Sequence, residues 1–97
     1  MVKKILKFGG TSVGTIDRIK SVALRIKNEV MNGYKLIVVV SAMAGETNKL
    51  IKLVENLTNN YKTSEYDTVI SSGEQVTSGL LAIALNEFSE TNCNNLF

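Results

Sequence analysis

Apolar residues open the chain in a short block, Val2 to Phe8, which Gly9-Gly10 stops at once, the pattern of a strand running into a tight turn. From Ile16 the period changes: Ile19, Val22, Ala23, Ile26 and Val30 recur at helical spacing, with Thr15 placed to cap the first turn and Gly33 to end the last. Leu36 to Val40 is a continuous, largely β-branched run. It predicts a parallel strand buried on both faces, joined to the first strand by a right-handed βαβ crossover. Beyond the loop Ser41 to Glu46, the positions Leu50, Ile51, Val54 and Leu57 predict a second amphipathic helix that Thr47 or Asn48 would cap. Polar residues from Thr58 to Glu65 form a linker. From Tyr66 to Phe88 a stripe of Val69, Gly73, Val76, Leu80 and Ala84 predicts a long helix with Gly73 as its break point, before a polar, Asn-rich tail. The sum is an α/β chain, βαβ followed by helices, with two strands. A parallel sheet is normally covered on both faces, so strand edges and apolar helix faces should stand exposed unless something else covers them.

Composition narrows the class without naming it. With 97 residues, one domain is the ceiling. Apolar residues at 44% and charged residues at 21% disfavour disorder, and a net charge of +2 is too small for a nucleic-acid footprint. Cys93 is the single cysteine and there is no histidine, so neither a disulfide framework nor a usual structural zinc site is expected, and a reducing cytoplasm fits best. The apolar start is broken by Lys7, which leaves no signal-peptide core, and no run approaches membrane-spanning length. The lack of histidine also removes the commonest general base.

Chemistry, if present, belongs at the carboxyl ends of the two strands, where open α/β sheets bind ligands, and the two loops there should be neighbours. The first loop, Lys7-Phe8-Gly9-Gly10-Thr11-Ser12-Val13-Gly14, offers glycines that let backbone N–H groups approach an anion, hydroxyls, and a helix N-terminus beyond. It is not a Walker loop, because Thr15 and Ile16 follow Gly14, and it is not a dinucleotide fingerprint, because Thr11 stands where a second glycine is required. On spacing alone, a phosphate loop and a plain strand-to-helix turn with an exposed Lys7 are equal alternatives. The second loop, Ser41-Ala42-Met43-Ala44-Gly45-Glu46-Thr47-Asn48, suits either a small polar ligand or ordinary capping by Thr47. In Ser71-Ser72-Gly73-Glu74-Gln75, the default roles of Glu74 are helix-dipole or capping-box partner. Met43 reads as a packing residue, and Lys3, Lys4 and Arg18 read as solvated charges.

In this order and spacing, KFGGTSVG, VVVSAMAGETN and SSGEQVTSGLLA closely resemble the amino-terminal segment of aspartate kinases, members of the amino-acid kinase family. The resemblance covers about residues 1–88, as a partial amino-acid kinase domain, and leaves 89–97 as a divergent polar tail. It implies an incomplete amino-terminal portion, βαβαα, of a three-layer αβα sandwich. The family's adenine-binding segment and its cation for the substrate α-carboxylate would lie beyond Phe97. The activity implied is transfer of the ATP γ-phosphoryl group to the side-chain carboxylate of L-aspartate, the first step of lysine, threonine and methionine biosynthesis in the cytoplasm, with Mg²⁺ carried by the nucleotide.

By matching position, Lys7 would be the catalytic cation, and Lys7, Phe8, Gly9, Gly10 and Ser12 would bind ATP. Ser41 and Thr47 would line the aspartate pocket, and Glu74 would receive the α-ammonium group. The attacking carboxylate is already ionised at neutral pH, so a chain without histidine lacks nothing that this reaction requires. Two alternatives stand beside this expectation: a noncatalytic remnant that at most binds anions or amino acids, and a sister kinase acting on another carboxylate. The expected partners are L-aspartate and ATP, with no nucleic acid and no membrane, and uncovered apolar surface would favour a homo-oligomer.

Overall fold

The computed structural model describes residues 2–59 and 63–89, so most of the polar tail, with Cys93, lies outside the described residues. The elements run β1 (Lys3–Phe8), α1 (Ile16–Met31), β2 (Lys35–Val40), α2 (Glu46–Glu55) and α3 (Ser64–Ser89). β1 and β2 pair in parallel, from Lys3 opposite Lys35 to Phe8 opposite Val40, as the βαβ pattern predicts.

Alternation along the two strands sorts their side chains onto two unlike faces. Leu6, Phe8, Leu36, Val38 and Val40 join Ile19, Val22, Ala23 and Ile26 of α1 and Leu81 and Leu85 of α3 in one core. On the other face Ile5, Ile37 and Val39 are 63%, 58% and 48% exposed. β2 is therefore not buried on both faces, as its unbroken apolar run predicts. Both packed helices lie against the inner face, and none of the described elements covers the outer one.

Helix α1 begins where predicted. Thr15 has extended backbone angles, and its Oγ1 accepts the Arg18 N–H at 3.2 Å, satisfying one of the unpaired donors of the first turn. The helix ends at Met31, ahead of Asn32 and Gly33. Lys4 is more than a solvated charge: its Nζ lies 2.9 Å from Glu29 Oε2 and 3.8 Å from the centroid of the Tyr34 ring, tying β1 to the last turn of α1.

Three expectations about the later helices need correction. The N-cap of α2 is Gly45, in the left-handed region at φ +83, with no side-chain hydrogen bond, so neither Thr47 nor Asn48 caps it. α3 is continuous through Gly73 and begins within the predicted linker, because the Thr63 Oγ1 accepts the Tyr66 N–H at 3.0 Å and starts the helix there. Its buried stripe is also shifted. Thr77 is fully buried with Leu81 and Leu85, whereas Val76 is 57% exposed. Thr77 tolerates burial because its hydroxyl donates to the Gly73 carbonyl at 3.1 Å, leaving no polar group unpaired.

Candidate active site

The loop after β1 is pinned from within. Val13 is fully buried in the core, and the turn ahead of it is closed by the Ser12 N–H donating to the Gly9 carbonyl at 3.0 Å. The two strand-end loops are neighbours, as expected for the carboxyl ends of adjacent parallel strands. The Phe8 carbonyl accepts the Ser41 N–H at 3.1 Å, which extends the strand ladder by one rung into the loops.

Close backbone approach joins these loops to α3. A Cβ on Gly10 would sit 3.1 Å from the Ala42 carbonyl oxygen, and one on Gly73 would sit 2.9 Å from the Ala42 Cβ. Gly73 is thus the residue that lets α3 lie against the second loop, and Ala42, itself buried, is the point where all three motifs meet. Above Gly9, by contrast, nothing lies within 4 Å of the Cβ position, so an anion has room to approach that backbone.

The predicted side chains occupy distinct places around this junction. Lys7 is exposed and leaves β1 on the outer face, opposite Val39 in the register. The Phe8 ring is buried in the core, so only its backbone could touch a nucleotide, and its carbonyl is already bonded to Ser41. Ser41 and Thr47 are exposed, with Thr47 in the first turn of α2. Glu74 lies more than two turns into α3, too far from its start to act as a capping-box or dipole partner. It lines a groove of about 540 Å³ with Val38, Val39, Val40, Ser71, Gln75 and Ser78, along the side of β2 away from β1. Ser12 faces elsewhere, into a cleft with Asp17, Arg18, Ser21 and Arg25. Among the described residues no hydrogen bond or ion pair links Lys7, Thr47 and Glu74.

Sequence reasoning missed the neighbours of both grooves. Ser71, Gln75 and Ser78 recur at helical spacing around Glu74, a polar stripe that could have been read from periodicity. Arg18 and Arg25, seven residues apart, share a face of α1 in the same way. No group of three His, Cys, Asp or Glu side chains converges among the described residues.

The model of the Amino acid kinase family matches residues 3–93. The chain belongs to the amino acid kinase family. Its curated relatives include the aspartokinase of Rickettsia felis, 56% identical over 86 residues that cover 86% of this chain and 21% of that protein. The aspartate kinase of Pseudomonas putida is 51% identical over 81 residues, covering 84% of this chain and 20% of the relative. A solved structure, the crystal structure of aspartate kinase from Synechocystis, superposes with a TM-score of 0.85 at 46% identity, covering 91% of this chain and 15% of that one. The chain thus spans about a fifth of the length of the curated relatives it matches, and its βαβαα order is an incomplete α/β portion of the amino-acid kinase fold.

Proposed function

We propose that these residues form the phosphate-loop and aspartate-facing part of an aspartate kinase, which phosphorylates the side-chain carboxylate of L-aspartate from ATP. The observation that carries this reading is the junction at Ala42, where the glycine loop, the Ser41–Thr47 loop and the Glu74 helix meet through Gly10 and Gly73. Similarity to aspartokinases across this same segment supports it.

In this mechanism a carboxylate oxygen of aspartate attacks the γ-phosphorus and ADP leaves, so no proton has to be removed from the nucleophile. The Lys7 ammonium neutralises charge on the phosphoryl oxygens, the open backbone at Gly9 admits the phosphates closely, and Gly10 holds the loop against Ala42. Glu74 accepts from the substrate ammonium group, a charge-assisted pairing that favours an amino acid over a simple dicarboxylate. The Ser41 and Thr47 hydroxyls orient the substrate carboxylate. The setting would be the cytoplasm, in lysine, threonine and methionine biosynthesis.

The test is a coupled ADP-release assay on a chimera in which residues 1–88 replace the matching segment of the Pseudomonas putida aspartate kinase. Lys7→Ala is expected to lower kcat by about 10²-fold or more, the scale of losing one preorganised donor to the transition state. Glu74→Gln is expected to raise KM for aspartate about tenfold or more while leaving KM for ATP unchanged, as loss of one charged contact to the substrate should. Full activity in both variants would overturn the assignment, and glutamate turning over as well as aspartate would point to a sister carboxylate kinase.

A second reading, for the 97 residues acting by themselves, is a binder of anions or amino acids without turnover, favoured by the exposed Lys7 and the open backbone at Gly9. The same assay on this chain decides it. No ADP release is expected, and turnover that disappears in Lys7→Ala would sink the noncatalytic reading.

A further inference from the structure

Ser12, Arg18, Ser21 and Arg25 line a cleft of about 510 Å³ beside the glycine loop, with Phe8, Val22 and Asp17 completing the lining. Arg18 and Arg25 lie about two turns apart on α1, so they share a face, with Ser21 between them. The Arg25 guanidinium carbon is 5.8 Å from the centroid of the Phe8 ring, a contact that steers a long, mobile side chain toward the strand end. Neither arginine has a carboxylate within ion-pair distance among the described residues, where the ion pairs are Lys4–Glu29 and Lys49–Glu46. The Ser21 hydroxyl donates to the Asp17 carbonyl at 3.2 Å, whereas the Ser12 hydroxyl makes no hydrogen bond to any described residue. Two guanidinium charges against the one Asp17 carboxylate leave the lining net positive.

We propose that this cleft is an oxyanion site for a phosphate group, with Arg18 and Arg25 supplying its charge and the Ser12 hydroxyl a further donor. Guanidinium forks match the oxygens of a tetrahedral phosphate in pairs, which a lysine ammonium cannot do. The site is separate from Lys7, whose side chain leaves β1 on the opposite face of the sheet from the Phe8 ring. Free inorganic phosphate and a nucleotide phosphate offer the same chemistry.

Titrating the purified 97-residue chain with sodium phosphate, against sodium chloride at matched ionic strength, tests the site by NMR at the Arg18 and Arg25 Nε–H and Ser12 amide signals. Saturable shifts confined to these groups are expected with phosphate, weakened at least tenfold in the Arg18→Gln/Arg25→Gln double variant. An ATP titration separates the two sources. A nucleotide phosphate held in the cleft gives the same saturable shifts with ATP, weakened in the Arg18→Gln/Arg25→Gln variant, whereas a free-phosphate site gives them with inorganic phosphate alone. Shifts that do not saturate, that chloride reproduces, or that persist in the double variant overturn the site. Should the double variant lose its helical circular dichroism, Arg18→Gln alone carries the comparison, since Arg18 is exposed. The readout is phosphate binding and not turnover, so failure here leaves the aspartate kinase assignment, tested in the chimera, untouched.

Discussion

Two glycines in one helix, Gly73 and Gly79, call for opposite treatment. At Gly73 a methyl group would meet the Ala42 Cβ at 2.9 Å and the Leu50 Cδ1 at 3.4 Å, so Gly73→Ala forces α3 away from the second loop. A loss of about 1–3 kcal/mol in urea denaturation is expected, the usual scale of overpacking. At Gly79 nothing lies within 4 Å, so Gly79→Ala adds helix propensity without a clash and is expected to stabilise by about 0.5–1 kcal/mol. Equal effects at the two sites would refute the steric role given to Gly73. This contrast also marks what the sequence could and could not show. Gly73 reads as a break because propensity is local, whereas its actual role depends on Ala42, thirty-one positions earlier. Thr77 was hidden for a related reason: hydropathy ranks Val76 above it, and only the hydrogen bond to the Gly73 carbonyl makes the threonine an interior residue. Lys7, Thr47 and Glu74, by contrast, stand out in the sequence through the order and spacing of their motifs, which the roles proposed for them rest on.

At the scale of elements, strand and helix boundaries were legible to within a few residues, because each stop is local: Gly9 after β1, the Thr15 cap and Gly33 around α1. Packing between elements was less so. The tie between β1 and α1 through Lys4 and Glu29 joins residues 25 positions apart and has no sequence signature. The hydrogen bond to Glu29, followed by the attraction of its charge and of Tyr34, holds the Lys4 ammonium above the ordinary lysine range against the opposing effect of desolvation. A raised folded-state value means that the contribution is complete below the ordinary lysine pKa and is lost as pH climbs through the raised one. Lys4→Met should therefore be less stable than the parent at neutral pH and equal to it at strongly alkaline pH, as read from urea midpoints. A gap that stays constant across that range would count against the ion pair.

For the molecule as a whole, the outer sheet face is the dominant unsolved surface. Ile5 and Ile37 lie side by side in the register, flanked by the Lys3–Lys35 rung and by Lys7 opposite Val39. Apolar side chains there favour association, while three lysines of one sign oppose it until salt screens them. Sedimentation of this chain is expected to show average mass rising with concentration and with ionic strength, and Ile37→Lys should hold it monomeric. A parent chain that stays monomeric at high salt would count against association through this face. The incomplete sheet was foreseeable from the count of strands, but which face would be left open was not, since β2 alone reads as apolar on both sides.

The parallel register carries a kinetic consequence. Every rung from Lys3–Lys35 to Phe8–Val40 joins positions 32 residues apart. Closing a loop of that length costs about 3 kcal/mol in chain entropy, and the first rung to form bears nearly all of it. The others follow almost without further loss, so the ladder, and with it the Phe8–Ser41 hydrogen bond that sets the two loops side by side, forms as a unit once α1 has bridged the strands. A partly folded chain therefore holds no half-built loop pair.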